Sequence, residues 1–152
     1  MKITILYATY SNSTYAATEV LCKALQKLNH EVAVSLVMTA NVTILVESDL
    51  TIFASPSWDY DGKEGQPHED FFHFFSSISQ DAVAPFSYAI MALGDTNYTY
   101  FCGAADELES LATAKAGKQI IEPLKLDQYY LNEMTCGAAI NTWAQQLTEA
   151  TT

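Results

Sequence analysis

The sequence contains no arginine, and its seven lysines are outnumbered by 18 aspartate and glutamate residues, so the formal net charge is −11 over 152 residues. Proteins that bind nucleic acids need a basic surface to neutralise phosphates, and this charge balance therefore argues against that class of function. An acidic surface can serve solubility alone, and it can also favour encounters with positively charged partners. The composition leaves both explanations open.

Cysteine is also scarce, and its spacing does not suit a metal site or a disulfide framework. Cys22, Cys102 and Cys136 form no C-x-x-C pair, whereas such sites use paired spacings. His68 and His73 are five residues apart, not the four that place two imidazoles on one helix face. We therefore predict free thiols in a reducing compartment and no bound metal.

Long apolar runs are absent as well. No run approaches the roughly 20 residues that span a bilayer, and residues 1–8 are too short and too alternating for a signal peptide. With 49% hydrophobic and 16% charged residues, the composition is typical of a soluble globular protein. We expect a cytoplasmic protein with no membrane association, folded as one domain over residues 1–152.

Apolar segments alternate with segments of helical periodicity along the whole chain. The predicted strands are 2–8, 31–37, 49–54, 86–93 and 119–126, the last interrupted at Pro123. The predicted helices are 15–28, 39–46, 66–78, 101–116 and 133–147. Pro67 suits a first helical turn, and Gly117 suits the left-handed position at a helix end. This alternation predicts an α/β protein with a doubly wound five-stranded parallel sheet and helices on both faces.

Three polar loops follow predicted strands and precede predicted helices. They comprise residues 9–14, 55–62 and 94–103. In an open parallel sheet, loops so placed meet at the carboxyl ends of the strands, where such folds bind ligands. We expect the three loops to form one site.

The first loop carries four hydroxyl groups and no cationic side chain. Thr9, Ser11, Ser13 and Thr14 precede a helix whose first N–H groups have no intrahelical acceptor. Together with the positive end of the helix dipole, these groups can bind a phosphate dianion without lysine or arginine. An ordinary capped helix would have the same residues, so this loop alone does not decide.

The other two loops each carry a large aromatic residue that core packing explains poorly. Trp58 and Tyr98, placed on opposite sides of a slot, could stack on a flat conjugated ring. A single loop tryptophan can also be a surface anchor. The two aromatics combined with a phosphate-binding loop favour a ligand that has both a ring and a phosphate.

These loops, in this order and spacing, resemble the flavodoxin family. The segment from Gly94 through Asp95, Tyr98 and Cys102 to Ala104 is similar to the flavin-ring loop of short-chain flavodoxins nearly residue for residue. The resemblance extends over essentially the whole chain. It implies a sheet of strand order 2-1-3-4-5 and a noncovalently bound FMN.

The resemblance also implies which residues contact FMN. The phosphate loop would comprise Thr9, Tyr10, Ser11, Asn12, Ser13 and Thr14. The ring-binding residues would be Ser57, Trp58, Asp59, Tyr60, Gly94, Asp95, Tyr98, Phe101 and Cys102, with Trp58 and Tyr98 flanking the isoalloxazine. Glycine at position 94 would allow the backbone to approach the ring closely. Cys102 is expected to be unreactive, because carboxylates nearby raise its pKa and no basic neighbour lowers it.

Two positions depart from the family pattern. Asn12 stands where the family has glycine, and asparagine tolerates a positive φ better than most residues, although weaker phosphate binding is expected. Asp59 stands where a glycine follows the tryptophan in many relatives, and the peptide there rotates to bond flavin N5 in the one-electron-reduced state. Because aspartate makes that rotation at a greater steric cost, we hypothesise that this state is less stable here.

Several acidic residues fall in or near the loops, namely Asp59, Asp61, Glu64, Asp95 and Asp127. A fully reduced flavin is expected to be an anion at neutral pH, and nearby carboxylates would repel it. This cluster therefore favours a low reduction potential, although any single carboxylate can equally be part of a solvated rim.

The function implied by the resemblance is that of a monomeric low-potential one-electron carrier, not an enzyme. It would shuttle electrons in transient complexes with basic-faced reductases and electron acceptors. The residues provide no acid–base pair or activated nucleophile. Two alternatives remain: a small FMN-dependent flavin or quinone reductase, and a flavodoxin-like activator of one redox enzyme.

Overall fold

The computed structural model describes residues 1–79 and 84–152, which form a parallel sheet covered by helices. The strands are β1 Lys2–Tyr7, β2 Glu31–Leu36, β3 Leu50–Pro56, β4 Trp58–Tyr60, β5 Lys63–Gln66, β6 Phe86–Gly94, β7 Gly117–Gln119 and β8 Leu124–Asp127. The helices are α1 Ser13–Lys27, α2 Ile44–Glu47, α3 Glu69–Ser76, α4 Ala104–Thr113 and α5 Glu133–Ala150. Short 3₁₀ turns occur at Val37–Thr39 and Tyr129–Leu131. In these two described ranges, no helix has the length and apolarity needed to cross a bilayer.

The main sheet has the order β2-β1-β3-β6-β7, with β8 also paired to β6, and all of these pairs are parallel. β7 pairs with residues 86–88 of β6 and β8 with residues 91–94, so together they occupy the place of one strand. Pro123 lies between them, and proline cannot donate to a strand ladder. The predicted order 2-1-3-4-5 and the predicted interruption of the fifth strand are therefore both confirmed.

The core has two layers, one on each face of the sheet. Every residue of β3 is buried, because helices cover both of its faces. On one face α1 and α5 pack against β1, β3 and β6. On the other face Phe53 contacts Phe71 and Phe75 of α3, with ring centroids 6.1 and 5.2 Å apart. Phe71 and Phe75, in the helix predicted over residues 66–78, are thus part of the core.

Two predicted helix ends were wrong in detail. The left-handed residue after α4 is Ala116, with φ 65°, and not Gly117. Gly117 begins β7, where a Cβ would lie 2.8 Å from the carbonyl oxygen of Ala112 and 2.8 Å from the ring of Phe86. Tertiary packing, not backbone conformation, therefore requires glycine at this position.

The start of α3 also differs from the prediction. Pro67 lies before the helix and not in its first turn, and His68 is the N-cap residue. The Nδ1 atom of His68 accepts the N–H of Asp70 at 3.1 Å. Of the helix predicted over residues 39–46, only the single turn Ile44–Glu47 is helical, displaced towards β3.

The loop predicted over residues 55–62 contains the first strand of a hairpin. β4 and β5 pair antiparallel, and the two residues that join them, Asp61 and Gly62, have φ values of 53° and 77°. A left-handed conformation at both positions is typical of a tight two-residue hairpin turn, for which Asp-Gly is a favoured sequence. The hairpin stands at the carboxyl end of β3 and carries Trp58.

Candidate functional site

A cavity of about 600 Å³ opens at the carboxyl ends of β1, β3 and β6, as expected for this type of sheet. Ten of the fifteen predicted site residues line it: Tyr10, Ser11, Ser13, Ser57, Trp58, Asp59, Gly94, Asp95, Tyr98 and Cys102. The three predicted loops therefore do meet at one cavity.

The remaining five predicted residues lie around this cavity but do not line it. Thr9 and Asn12 lie between β1 and α1, and Thr14, the last residue of the predicted first loop, is the second residue of α1. Tyr60 turns towards α3, where its ring stacks on Phe72 with centroids 5.6 Å apart. Phe101 is partly buried and packs against the core on the α3 and α4 side of the sheet.

The first loop turns through Asn12, which has the left-handed φ of 66° and directly precedes α1. The carbonyl oxygen of Asn12 accepts the N–H of Ala16 at 3.0 Å, which starts the helix. The Asn12 side chain makes no capping hydrogen bond. The first N–H groups of α1 are therefore left for another acceptor.

Two hydroxyl groups of this loop also lack partners among residues 1–79 and 84–152. The Oγ1 atoms of Thr9 and Thr14 are buried, and neither has a hydrogen-bond partner there. A buried hydroxyl without a partner is costly, and a bound ligand is one way in which its hydrogen bonding can be completed. Buried hydroxyls together with free helix N–H groups suit an anion with several acceptor oxygens, such as a phosphate.

The aromatic wall of the cavity is built on three rings in contact, of which Trp58 and Tyr10 are tilted at 40° to each other. Trp58 is 53% exposed and lies 5.1 Å from the ring of Tyr10. Tyr10 in turn stacks on the buried His68, at 4.1 Å and an interplanar angle of 26°. Tyr98 lines the cavity from the loop after β6 and is 63% exposed. Large rings held by packing and left open to solvent are suited to stacking on a planar ligand.

The loop after β6 folds back closely on its own strand. A Cβ at Gly94 would lie 2.9 Å from the Sγ atom and 3.0 Å from the nitrogen of Cys102. Cys102 itself has a left-handed φ of 51°. The close approach of Cys102 therefore requires glycine at position 94, and the approach of this backbone to a flavin ring stays a prediction.

Cys102 is a buried thiol whose reactive thiolate form is disfavoured. Burial is the main cause that raises its pKa to about 12, whereas the hydrogen bond to the carbonyl oxygen of Leu126 and the charge of Lys125 lower it, and Asp127 and Cys136 make smaller contributions that raise it. The expectation that no basic neighbour acts on this thiol was wrong, but the effect of burial dominates. Two weak contacts, to the carbonyl oxygens of Ala92 and Leu126, direct the sulfur into the protein.

We therefore expect iodoacetamide to leave Cys102 unmodified in the folded protein at pH 8, because only a very small fraction is thiolate. Peptide mapping by mass spectrometry checks this, with the protein unfolded in urea as the control that must react. Rapid modification of the folded protein at Cys102 would contradict the buried, protonated thiol.

The hairpin is fixed to the loop after β6 by two glycines. A Cβ at Gly65 would lie 2.8 Å from the Cβ of Tyr100, and a Cβ at Gly103 would lie 2.7 Å from the carbonyl oxygen of Gly65. Nearby, the hydroxyl of Ser57 accepts the N–H of Ala104 at 3.2 Å, at the start of α4. Two of the three walls of the cavity are therefore locked together.

A further wall of the cavity is formed by residues 128–131, which were not predicted from the sequence. Gln128, Tyr129, Tyr130 and Leu131 all line the cavity, together with Pro56, Glu64, Gly65, Leu93 and Tyr100 from the neighbouring elements. The available signal was positional: a fifth parallel strand also ends at this edge, so the residues after it should have been considered.

The electrostatics of the cavity are set by carboxylates that line it. Asp95 accepts the N–H of Asn97 at 2.8 Å and the Nε2–H of Gln128 at 3.0 Å. The hydrogen bond from Asn97 is the main cause that lowers the pKa of Asp95, and the bond from Gln128 adds to it. Asp59 and Glu64 also line the cavity.

Comparison with known proteins gives a consistent result. The sequence pattern of the family described as Flavodoxin matches residues 5–140. A flavodoxin of Nitratidesulfovibrio vulgaris (strain DSM 19637 / Miyazaki F) is 26% identical over 150 residues, which are 98% of each chain. The probable flavodoxin 2 of Bacillus subtilis (strain 168) is 26% identical over 127 residues, covering 83% of this chain and 82% of that protein.

Solved structures agree with the sequence comparison. The oxidised flavodoxin 2 from Bacillus cereus superposes with a TM-score of 0.81 at 25% identity, covering 98% of this chain and 99% of that one. The flavodoxin of Streptococcus pneumonia TIGR4 also gives 0.81, at 21% identity and 97% coverage of each chain, which supports the fold. Because the family pattern spans most of the sequence, the protein belongs to the flavodoxin family, as the three loops predicted.

Proposed function

We propose that this protein is a monomeric, single-domain carrier that binds FMN noncovalently and transfers electrons one at a time, at low potential, between larger redox enzymes. The flavodoxin family implies a flavin cofactor. The observation that carries the proposal is a combination at one edge of the sheet: a loop and helix start with buried hydroxyls that have no partner among residues 1–79 and 84–152, next to a cavity lined by exposed aromatic rings.

The residues fit FMN in the following way. The hydroxyls of Thr9 and Thr14 and the first N–H groups of α1 would bind the phosphate, and the rings of Trp58 and Tyr98 would stack on the isoalloxazine. Among the described residues that line the cavity, none is lysine, arginine or histidine, so hydroxyls, amides and the helix dipole must hold the anion. FMN supplies the one- and two-electron redox chemistry, while the protein sets its exposure and potential.

The carboxylates that line the cavity would lower the potential. A carboxylate about 10 Å from a reduced, anionic flavin, at an effective dielectric constant near 20, raises its energy by roughly 1.7 kcal/mol before screening by salt. For a one-electron step this corresponds to about 70 mV. Asp59, Glu64 and Asp95 act in the same direction, so the fully reduced protein would be a strong electron donor.

A carrier role suits the charge of the molecule. With a net charge of −11, the protein would meet redox partners that present basic docking faces, in complexes that weaken as salt increases. Trp58 and Tyr98 are exposed, so a flavin ring between them would be accessible to such partners. Three free cysteines are compatible with a reducing compartment.

The test is to add FMN to the purified full-length protein and to measure absorption, fluorescence quenching and stoichiometry. We expect one FMN per chain, with its fluorescence quenched by the aromatic walls, and two separate one-electron steps during photoreduction. Absence of FMN binding by the folded protein would refute the proposal. Steady oxidation of NADH or NADPH by the protein alone would instead favour the alternative function of a small flavin or quinone reductase.

Asp59 provides a smaller prediction about the reduced states. It lies in the extended strand β4, beside Trp58, and lines the cavity. The peptide rotation expected here in the one-electron-reduced state would require a left-handed backbone. A side chain adds about 1–2 kcal/mol to the cost of that conformation, and glycine would remove this cost. Asp59→Gly is therefore expected to increase the maximum yield of one-electron-reduced flavin severalfold, measured by redox titration. An unchanged yield would contradict the hypothesis, and Asp61→Asn serves as the control for loss of one charge in the hairpin.

A further inference from the structure

Residues 128–131, which we call the strap, connect two parts of the cavity that lie far apart in the sequence. The strap follows β8, whose end pairs with the end of β6. All four of its residues line the cavity. At its start it contacts the loop after β6, and through Tyr130 it contacts the first loop.

Gln128 binds the loop after β6 through both its backbone and its side chain. Its N–H donates to the carbonyl oxygen of Gly94 at 2.9 Å, and its Nε2–H donates to Oδ1 of Asp95 at 3.0 Å. Gln128 adopts φ 44° and ψ 61°, a left-handed conformation that is uncommon for a residue with a long side chain. Such conformations persist where the surroundings hold them, and they concentrate at functional sites.

The contact with Asp95 fixes the position of a cavity wall. The Oδ1 atom of Asp95 has two donors, the N–H of Asn97 and the amide of Gln128. Without the amide, the carboxylate keeps one donor and gains freedom to rotate towards water. Asp95 and the adjoining Gly94 line the part of the cavity assigned to the flavin ring. By holding Asp95 in place, Gln128 would therefore affect the affinity for the ring.

Tyr130 acts on the other end of the site. Its hydroxyl donates to the carbonyl oxygen of Ser11 at 3.3 Å, which is long for this type of bond. In a trans peptide the C=O and the following N–H point in opposite directions, so this bond also sets the direction of the Asn12 N–H. Asn12 is the left-handed residue of the first loop.

We propose that the strap positions both halves of the cofactor site, with Gln128 holding the ring-binding wall and Tyr130 holding the phosphate-binding loop. This inference rests on the proposed binding of FMN. The two residues are positioning residues, since each acts through a neighbouring group. Riboflavin has the ring of FMN without its phosphate, and it therefore separates the two roles.

Tyr130→Phe removes the hydroxyl and keeps the ring. We expect its FMN affinity to fall about threefold, in keeping with a weak neutral hydrogen bond, and its riboflavin affinity to stay unchanged. Fluorescence titration of the apoprotein with each flavin measures both. Tyr15→Phe, on an exposed tyrosine of α1, is the matched control and should bind both flavins as the wild type does.

Gln128→Met removes the amide and keeps the length of the side chain. We expect FMN and riboflavin to lose affinity equally, by about fivefold. Gln128→Asn suits a left-handed backbone better than glutamine but is too short to reach Asp95, and the same loss is expected. Gln145→Met, on the exposed face of α5, controls for the exchange of glutamine for methionine.

The possible outcomes are distinct. Three results would overturn the strap proposal without affecting FMN binding by the wild type. They are unchanged affinities in both Tyr130→Phe and Gln128→Met, an equal loss of affinity for FMN and riboflavin in Tyr130→Phe, and wild-type affinity in Gln128→Asn. Failure of the wild type to bind FMN would refute the proposed function itself. Thermal unfolding of each apoprotein identifies a variant that fails to fold. If a Gln128 variant does not fold, the affinities of Tyr130→Phe for FMN and for riboflavin decide whether the strap proposal stands.

Discussion

Gly103→Ala is expected to destabilise the protein by about 2–3 kcal/mol and to weaken FMN binding at least tenfold. The backbone of Gly103 is right-handed helical, with φ −57° and ψ −22°, so alanine is conformationally acceptable there. The cost is steric, because the added methyl group would lie 2.7 Å from the carbonyl oxygen and 2.9 Å from the Cα of Gly65. Overpacking against backbone atoms costs about 1–3 kcal/mol. To relieve the clash, the start of α4 and the hairpin that carries Trp58 must move apart.

Two measurements check this prediction. Urea unfolding of the apoprotein gives the loss of stability, which should also appear as a melting temperature lower by roughly 5–10 °C. Fluorescence titration gives the FMN affinity. Gly137→Ala is the matched control, because a Cβ there, in the interior of α5, would have no heavy atom within 4 Å apart from the helix's own nearby backbone. We expect about 0.5–1 kcal/mol of added stability and unchanged affinity. Wild-type stability in Gly103→Ala would mean that the hairpin and α4 are not closely packed.

The sequence predicted the sheet well because its strands have strong, nearly continuous apolar runs. β3, with the sequence Leu-Thr-Ile-Phe-Ala-Ser-Pro, is buried at every position, and such a run fits only a central strand. The hairpin strands β4 and β5 are three and four residues long and mostly polar, so hydrophobic periodicity gave no signal for them. The turn chemistry of Asp61 and Gly62 was the only local sign of the hairpin.

The candidate site was predictable where each contribution came from one loop, and less so where it came from packing between loops. The hydroxyls of the first loop and the two exposed aromatics are visible in the sequence because they follow strands. The contact between Tyr130 and Ser11 joins residues 119 positions apart, and no local pattern reports it. The packing of Gly65 against Gly103 is of the same kind, since each glycine alone looks like an ordinary turn residue.

Thr14→Val is expected to change stability and FMN affinity in opposite directions. The Oγ1 atom of Thr14 is buried and has no partner among the residues that the structure describes. Valine keeps the branched shape of threonine and removes this polar atom, so the apoprotein should gain about 1 kcal/mol of stability. If the hydroxyl donates to the FMN phosphate, its loss should cost a charge-assisted hydrogen bond of about 1.5–3 kcal/mol, which lowers FMN affinity by roughly 10- to 150-fold.

Thr18→Val separates these two effects. Thr18 is also fully buried on α1, and its hydroxyl likewise has no partner within residues 1–79 and 84–152, but it lies one helical turn beyond the first loop. The substitution should stabilise the apoprotein as Thr14→Val does, and its affinity for FMN should not change. Riboflavin should bind both variants as tightly as the wild type, because it has no phosphate. Equal FMN affinity in the two valine variants would mean that Thr14 takes no part in phosphate binding, and the anion would then have to rely on the remaining hydroxyls and on the amides at the start of α1.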